Sequence, residues 1–274
     1  MKKFFCTFAD SRMRPTLRRI ERQVKEACIF DVVLINDETD LSADFREQFK
    51  ERLIKGSRGF GYWVWKPQII LQALRQMVEG DLLLYLDAGC HFNKNGTKRL
   101  DDYFEMAIRS PAGMVVFQSA KESDDKNLIP GTQLESSRTK GDVFDFFGVR
   151  DDKAFYASGQ VQGGTLILRK CKASEDVLCQ WLDILKNNVN LVDDSPSVSL
   201  NFPDFKENRH DQSILSIICK KKGIPSVSTS ETYQEDWELL KMYPLWAKRD
   251  KTLSSSFFAR LKKKIKVFIE RSRI

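Results

Sequence analysis

Gly80-Asp81-Leu82-Leu83-Leu84-Tyr85-Leu86-Asp87-Ala88-Gly89-Cys90-His91 is the stretch on which the reading of this chain turns. Leu82 to Leu86 is an unbroken apolar run, too short for an independent helix and suited to a strand buried on both faces. It ends in a carboxylate, Asp87, followed by two small residues. An acid at the C-terminal tip of a central parallel strand stands where open α/β sheets bind their ligands. Ala88 and Gly89 leave room for a bulky charged group to approach the backbone. Asp87 is therefore expected to hold a divalent cation against the phosphates of a nucleotide-linked donor. A plain turn aspartate would have the same local sequence, so the rest of the chain must discriminate.

Met1 to Phe8 reads as the first strand. A helix from Pro15 follows, with Leu17, Ile20, Val24 and Ala27 on one face, and then a second strand from Phe30 to Ile35. Strand–helix–strand is how mononucleotide-binding α/β domains begin. Gly56 to Pro67 holds three glycines and four aromatics in twelve residues, a loop that approaches something closely. Tyr62, Trp63 and Trp65 are of the kind that stacks on a base or a sugar, or that packs a helix on a sheet. Lys66 suits a phosphate, though a solvated lysine would read the same. A helix from Pro67 is expected to bury Ile70, Leu71, Leu74, Met77 and Val78 and to stop at Gly80.

Lys121 to Lys140 is polar and aperiodic, as binding loops are; Lys140 at its end suits a phosphate or solvent. Gln162, Gly163 and Gly164 precede an expected strand from Thr165 to Leu168, where paired glycines mean close backbone approach. Arg209-His210-Asp211-Gln212-Ser213 opens a helix, with Asp211 able to serve as its cap.

Composition bounds the alternatives. A chain of 274 residues that is 42% hydrophobic has material for a sizeable core, as one large domain or two small ones. No apolar run reaches the ~18 residues of a membrane span. The six cysteines are scattered without a CxxC pair, several in expected strands or on apolar helix faces, which reads as thiols of a reducing compartment and not as a zinc site. Of the net charge of +7, residues 257–274 carry +6 (seven basic residues against Glu270). The basic character thus belongs to the tail and not to a nucleic-acid-binding face. With Ser254 to Ser256 as cap, Phe257, Phe258, Leu261, Ile265, Phe268 and Ile269 form one face of an amphipathic helix and lysines the other. That pattern predicts attachment of 257–274 to an anionic membrane surface.

Leu84-Tyr85-Leu86-Asp87-Ala88-Gly89, then Gln162-Gly163-Gly164, then Asp211-Gln212, in that order, resemble the GT-A-fold glycosyltransferases. The arrangement is similar to the glycogenin and lipopolysaccharide galactosyltransferase family. Gly-Tyr-Trp-Val-Trp-Lys-Pro (61–67), Tyr-Leu-Asp-Ala-Gly-Cys (85–90) and Arg-His-Asp-Gln-Ser (209–213) further resemble bacterial glycosyltransferases of capsule and O-antigen assembly. The likeness runs over roughly residues 1–250, leaving 251–274 as the basic tail.

The resemblance implies a Rossmann-like, mixed and mostly parallel sheet flanked by helices. It also implies transfer of a hexose, galactose among the candidates, from a UDP-linked nucleotide sugar to a lipid-linked or polysaccharide acceptor. Mn²⁺ or Mg²⁺ would be the cofactor, and the place would be the cytoplasmic face of the inner membrane. Donor-binding residues would be Asp10, Tyr62, Trp65, Lys66, Asp87, Ala88, Gly89, Lys140, Gln162 and Gly164, and metal ligands Asp87 and His210. The second aspartate of the family's metal pair is missing, because Gly89 occupies its place, so either another group such as Asp211 or a histidine completes the site or Asp87 and the donor diphosphate alone hold the ion. Asp211 would take the acceptor proton in an inverting enzyme, whereas Gln212 would flank the anomeric carbon in a retaining one. A non-catalytic carbohydrate-binding protein and a sugar-phosphate nucleotidyltransferase are the competing readings. The first would not need Asp87, and the second would carry a glycine-rich loop after the first strand.

Overall fold

The computed structural model describes residues 1–251; the tail helix expected at 257–274 lies outside the described residues. Strand β1 (Lys3–Phe8) leads into helix α1 (Arg14–Lys25) and strand β2 (Val32–Asn36). Helices α2 (Ala43–Gln48), α3 (Gly59–Tyr62) and α4 (Trp65–Leu74) precede strand β3 (Leu82–Leu86). Then come β4 (His91–Phe92), α5 (Thr97–Arg109) and β5 (Met114–Gln118). Short helices α6 (Glu135–Arg138), α7 (Gly141–Phe147) and α8 (Lys153–Tyr156) lead to β6 (Val161–Arg169) and α9 (Lys172–Asn187). The chain closes with α10 (Asp211–Lys221), β7 (Ser226–Ser228) and β8 (Leu245–Trp246).

Six strands form one sheet in the order β2-β1-β3-β6-β5-β7, and β4 with β8 forms a separate ribbon. β1 runs parallel to β2 and β3, and β5 parallel to β7. β6 is antiparallel to both its neighbours. The sheet is therefore mixed and mostly parallel, with β6 the one reversed strand.

Period-two alternation splits the core into two layers. Phe4, Cys6 and Phe8 of β1, with Leu83 and Tyr85 of β3, pack on one face against α4, α9 and α10. Phe5, with Leu82, Leu84 and Leu86, packs on the other against α1 and α5. Every residue of β3 is buried, as a central strand covered on both faces requires. Leu17, Ile20 and Val24 of α1 are buried, as their spacing predicts.

Two expectations are corrected. The helix after the aromatic loop ends at Leu74 rather than at Gly80, and Val78 is exposed, not inward. The buried carboxylate of Asp81 explains the early stop: it accepts from the amides of Val78 and Lys2, tying the turn before β3 to the start of β1. Gln162, Gly163 and Gly164 lie inside β6 rather than before it. The ladder persists there because the Asp87 amide donates to the Gly164 carbonyl at 2.8 Å.

Candidate active site

β1 and β3 run side by side and end at the same edge of the sheet. Ala9, Leu17 and Ala88 pack together there, so the Asp10 and Asp87 turns are neighbours. Asp10 is buried and caps the turn that starts α1, accepting from the amide of Arg12 at 2.9 Å and from its guanidinium at 3.0 Å. Across the edge, α10 begins at Asp211, whose carbonyl accepts from the Trp181 indole at 3.0 Å. The residue before it, His210, takes φ 55° and ψ −123°, a conformation that a non-glycine residue holds only when its surroundings enforce it.

These elements meet on Lys66. Its ammonium is 3.0 Å from Asp211 Oδ2, 3.3 Å from Asp87 Oδ1 and 3.1 Å from the Gly163 carbonyl. The lysine side chain is 3% exposed, Asp211 5% and Asp87 33%, so Asp87 forms the open rim and the other two the floor. Tyr85 completes the group, donating from its hydroxyl to Asp87 Oδ1 at 2.7 Å. Tyr85 and Asp87 are two residues apart, so strand geometry sets both on the same side of the sheet.

Burial alone would lower the Lys66 pKa. The carboxylates of Asp211 and Asp87 more than offset it and raise the lysine pKa, so it stays charged. Burial pushes the Asp211 carboxyl up to about 6; Lys66 opposes that and the Asp87 charge adds to it. Asp211 is thereby a carboxylate at neutral pH with the basicity a proton acceptor needs.

Gln212 follows on α10, but its amide is engaged. Its Oε1 accepts from the Gly163 amide at 2.9 Å and its Nε2 donates to Gln160 Oε1 at 2.6 Å. Behind it, Gln160 donates to Glu135, to Thr139 and to Ser213. Glu135 is fully buried and paired with Lys220 at 2.7 Å, and it also accepts from Ser216. A satisfied buried network of this kind fixes the geometry of its members.

The remaining expected site residues fall in several places. Trp65 is corrected: it is 4% exposed, its ring lies 4.0 Å from that of Phe8 and its indole donates to the Gly59 carbonyl, leaving no face for a base. Tyr62 is half-buried, its ring 5.3 Å from that of His210. His210 is likewise not turned to Asp87. Its Nδ1 meets the Val192 carbonyl at 2.5 Å, and among the described residues its Nε2 has no hydrogen-bond partner. Lys140 is buried beneath the 187–208 segment, bonded to the Asn190 carbonyl and to Ser195, rather than facing a phosphate. Gln162 Oε1 accepts from Thr232 at 3.0 Å.

Arg19 was not singled out by the sequence. It donates to the carbonyls of Ala88 and Cys90 at 2.7 and 2.9 Å and so shapes the turn that carries Asp87. Its spacing in α1 gave no hint, because those carbonyls lie far along the chain. Tyr85 was legible by its two-residue offset from Asp87.

A divalent cation held by Asp87 and His210 does not fit this donor set. Asp87 Oδ1 already meets the Lys66 ammonium, and the Nδ1 of His210 is committed to the Val192 carbonyl. Among the described residues no group of three or more His, Cys, Asp or Glu side chains is placed to hold a metal, and no helix is long and apolar enough to cross a membrane.

No family model matches the sequence, and no curated protein matches it. Solved structures with a related course of the chain include mouse xyloside xylosyltransferase 1, at 11% identity, covering 88% of this chain and 92% of that one, with TM-score 0.41. A glycosyltransferase involved in glycosylation of the major capsid of PBCV-1 matches at 12% identity, over 69% of this chain and 68% of that one, with TM-score 0.38. A 4-diphosphocytidyl-2C-methyl-D-erythritol synthase from Anaerococcus prevotii matches at 12% identity, over 88% and 96%, with TM-score 0.36. Likenesses this distant leave the functional argument to the geometry of the site itself.

Proposed function

We propose that this chain is a glycosyltransferase of the GT-A kind, moving a hexose from a UDP-linked sugar onto a glycan acceptor, lipid-linked or polysaccharide, in capsule or O-antigen assembly. The observation that carries the reading is the pair Asp87 and Asp211 around Lys66, at the C-terminal edge of β3, where open α/β sheets take their ligands. Asp211, basic enough at a pKa of about 6, takes the proton of the acceptor hydroxyl as its oxygen attacks the anomeric carbon. The bond from that carbon to the diphosphate breaks, and the diphosphate leaves with the electron pair. Asp87 orients the donor from the rim of the crevice. Engagement of the Gln212 amide by Gly163 and Gln160 favours this inverting course over one in which Gln212 flanks the sugar.

The amphipathic sequence of 257–274 supports attachment to the anionic inner face of the cytoplasmic membrane. Deleting it is expected to lower binding to anionic vesicles while leaving donor hydrolysis unchanged. The decisive experiment is a screen of nucleotide-sugar donors for hydrolysis, with and without Mn²⁺, on wild type, Asp87→Ala and Asp211→Asn. Equal turnover by all three proteins with every donor would remove the paired carboxylates from the chemistry and the reading with them.

A further inference from the structure

We infer that the positive charge this site requires is built into the chain: Lys66 takes the place of a divalent cation between the carboxylates, while Arg249 and Lys251 meet the donor diphosphate across the Asp87–Gly89 turn. The diphosphate half rests on the sugar-transfer reading; the exclusion of the metal rests on geometry alone.

An ammonium has three protons to donate, and Lys66 has three oxygens around it, from Asp87, Asp211 and Gly163. A dication entering between the carboxylates would have to displace that ammonium from a floor where it is 3% exposed. Beside it, in a poorly screened interior, it would meet strong like-charge repulsion. The position where a second acidic ligand would stand is Gly89, and its carbonyl is taken by the amide of Asp250 at 2.8 Å.

That last contact brings in the second half. β8 pairs with β4 and carries the following residues back over the acid turn. Arg19 holds Asp250 by its carbonyl at 3.0 Å and its carboxylate at 3.1 Å, and His91 Nε2 lies 3.4 Å from the same carboxylate. Asp250 is thereby a peg, with a basic residue on each side. A methyl group on Gly89 would stand 3.6 Å from the Arg249 Cα and 3.7 Å from the Lys251 Cγ. The Arg249 backbone is held at φ 54°. Both side chains are exposed, and among the described residues neither pairs with a carboxylate. Basic groups carried on either side of an anchored residue can offset charge on a departing diphosphate as a metal would.

The test uses the full chain, with Mn²⁺ followed by its free-ion paramagnetic resonance signal and UDP binding followed by calorimetry. Wild type is expected to leave the Mn²⁺ signal undiminished and to bind UDP equally with chelator and with Mn²⁺. Arg249→Ala with Lys251→Ala is expected to lose about tenfold or more in UDP affinity, the worth of a charge-assisted hydrogen bond. Lys66→Met is expected to gain Mn²⁺ binding, and Lys66→Met with Asp211→Asn to lose it again. Mn²⁺ bound by wild type and lost in Asp87→Asn, or UDP binding that requires Mn²⁺, would overturn the inference. Unchanged UDP affinity in Arg249→Ala with Lys251→Ala overturns the diphosphate half alone, whereas UDP that fails to bind wild type under every condition overturns the UDP reading with it. The wild-type Mn²⁺ titration still decides the role of Lys66, even if Lys66→Met does not fold.

Discussion

The hydroxyl of Tyr85 donates to Asp87 Oδ1 across 2.7 Å, from two residues earlier in the same chain. Burial, with the Asp87 charge beside it, holds the phenol pKa well above its usual value, so Tyr85 remains a donor at any working pH. Oδ1 is therefore shared by Tyr85 and Lys66, which favours one rotation of the carboxylate. Tyr85→Phe is expected to cost about 1 kcal/mol of stability, the net worth of one hydrogen bond. Turnover should fall by about tenfold, as expected when a supporting contact to a working group is lost. Melting curves and donor hydrolysis read the two effects separately; unchanged turnover would mean that Asp87 needs no such support.

Gly164 faces the other oxygen of the same carboxylate. A Cβ there would lie 2.9 Å from Asp87 Oδ2, too close to be tolerated without movement. The obstructing atom ends a side chain that can swing, so Gly164→Ala is expected to keep its fold and to displace the carboxylate. Turnover should drop by about 100-fold, in line with a misplacement of about 1 Å at the reacting centre, with little change in melting temperature. Full activity in this variant would show that the position of Asp87 is not critical.

The pH profile offers a signed test. Asp211 works as the carboxylate, so kcat/KM should rise with pH, with unit slope, through about 6. Lys66 lowers the Asp211 pKa and Asp87 raises it. Removing the cation in Lys66→Met must therefore move the acid limb to higher pH, and removing the anion in Asp87→Asn must move it to lower pH. Shifts in the same direction for both variants would assign the limb to another group.

Behind the crevice, Glu135 is fully buried and depends on Lys220 for its countercharge. Lys220→Met leaves that carboxylate uncompensated and is expected to cost about 3 kcal/mol in denaturant unfolding. Adding Glu135→Gln should restore part of the loss, since a neutral amide needs no countercharge. A Lys220→Met protein as stable as wild type would show that the pair does not stabilise the fold.

What the sequence determined is the frame. The five apolar residues of β3, the 3.6-residue spacing of α1 and the carboxylates at Asp87 and Asp211 can all be read locally, because burial periodicity and chain punctuation are local properties. The roles of Lys66, Trp65, Lys140 and His210 were decided only by the tertiary structure. Whether a lysine points to water or lies beneath two carboxylates depends on which distant acids fold against it, and nothing in the neighbours of Lys66 encodes Asp211. Trp65 resembled a stacking platform until Phe8 covered it. Local sequence names the chemical groups; desolvation and long-range pairing, which exist only after the sheet and α10 close together, set their charge and direction.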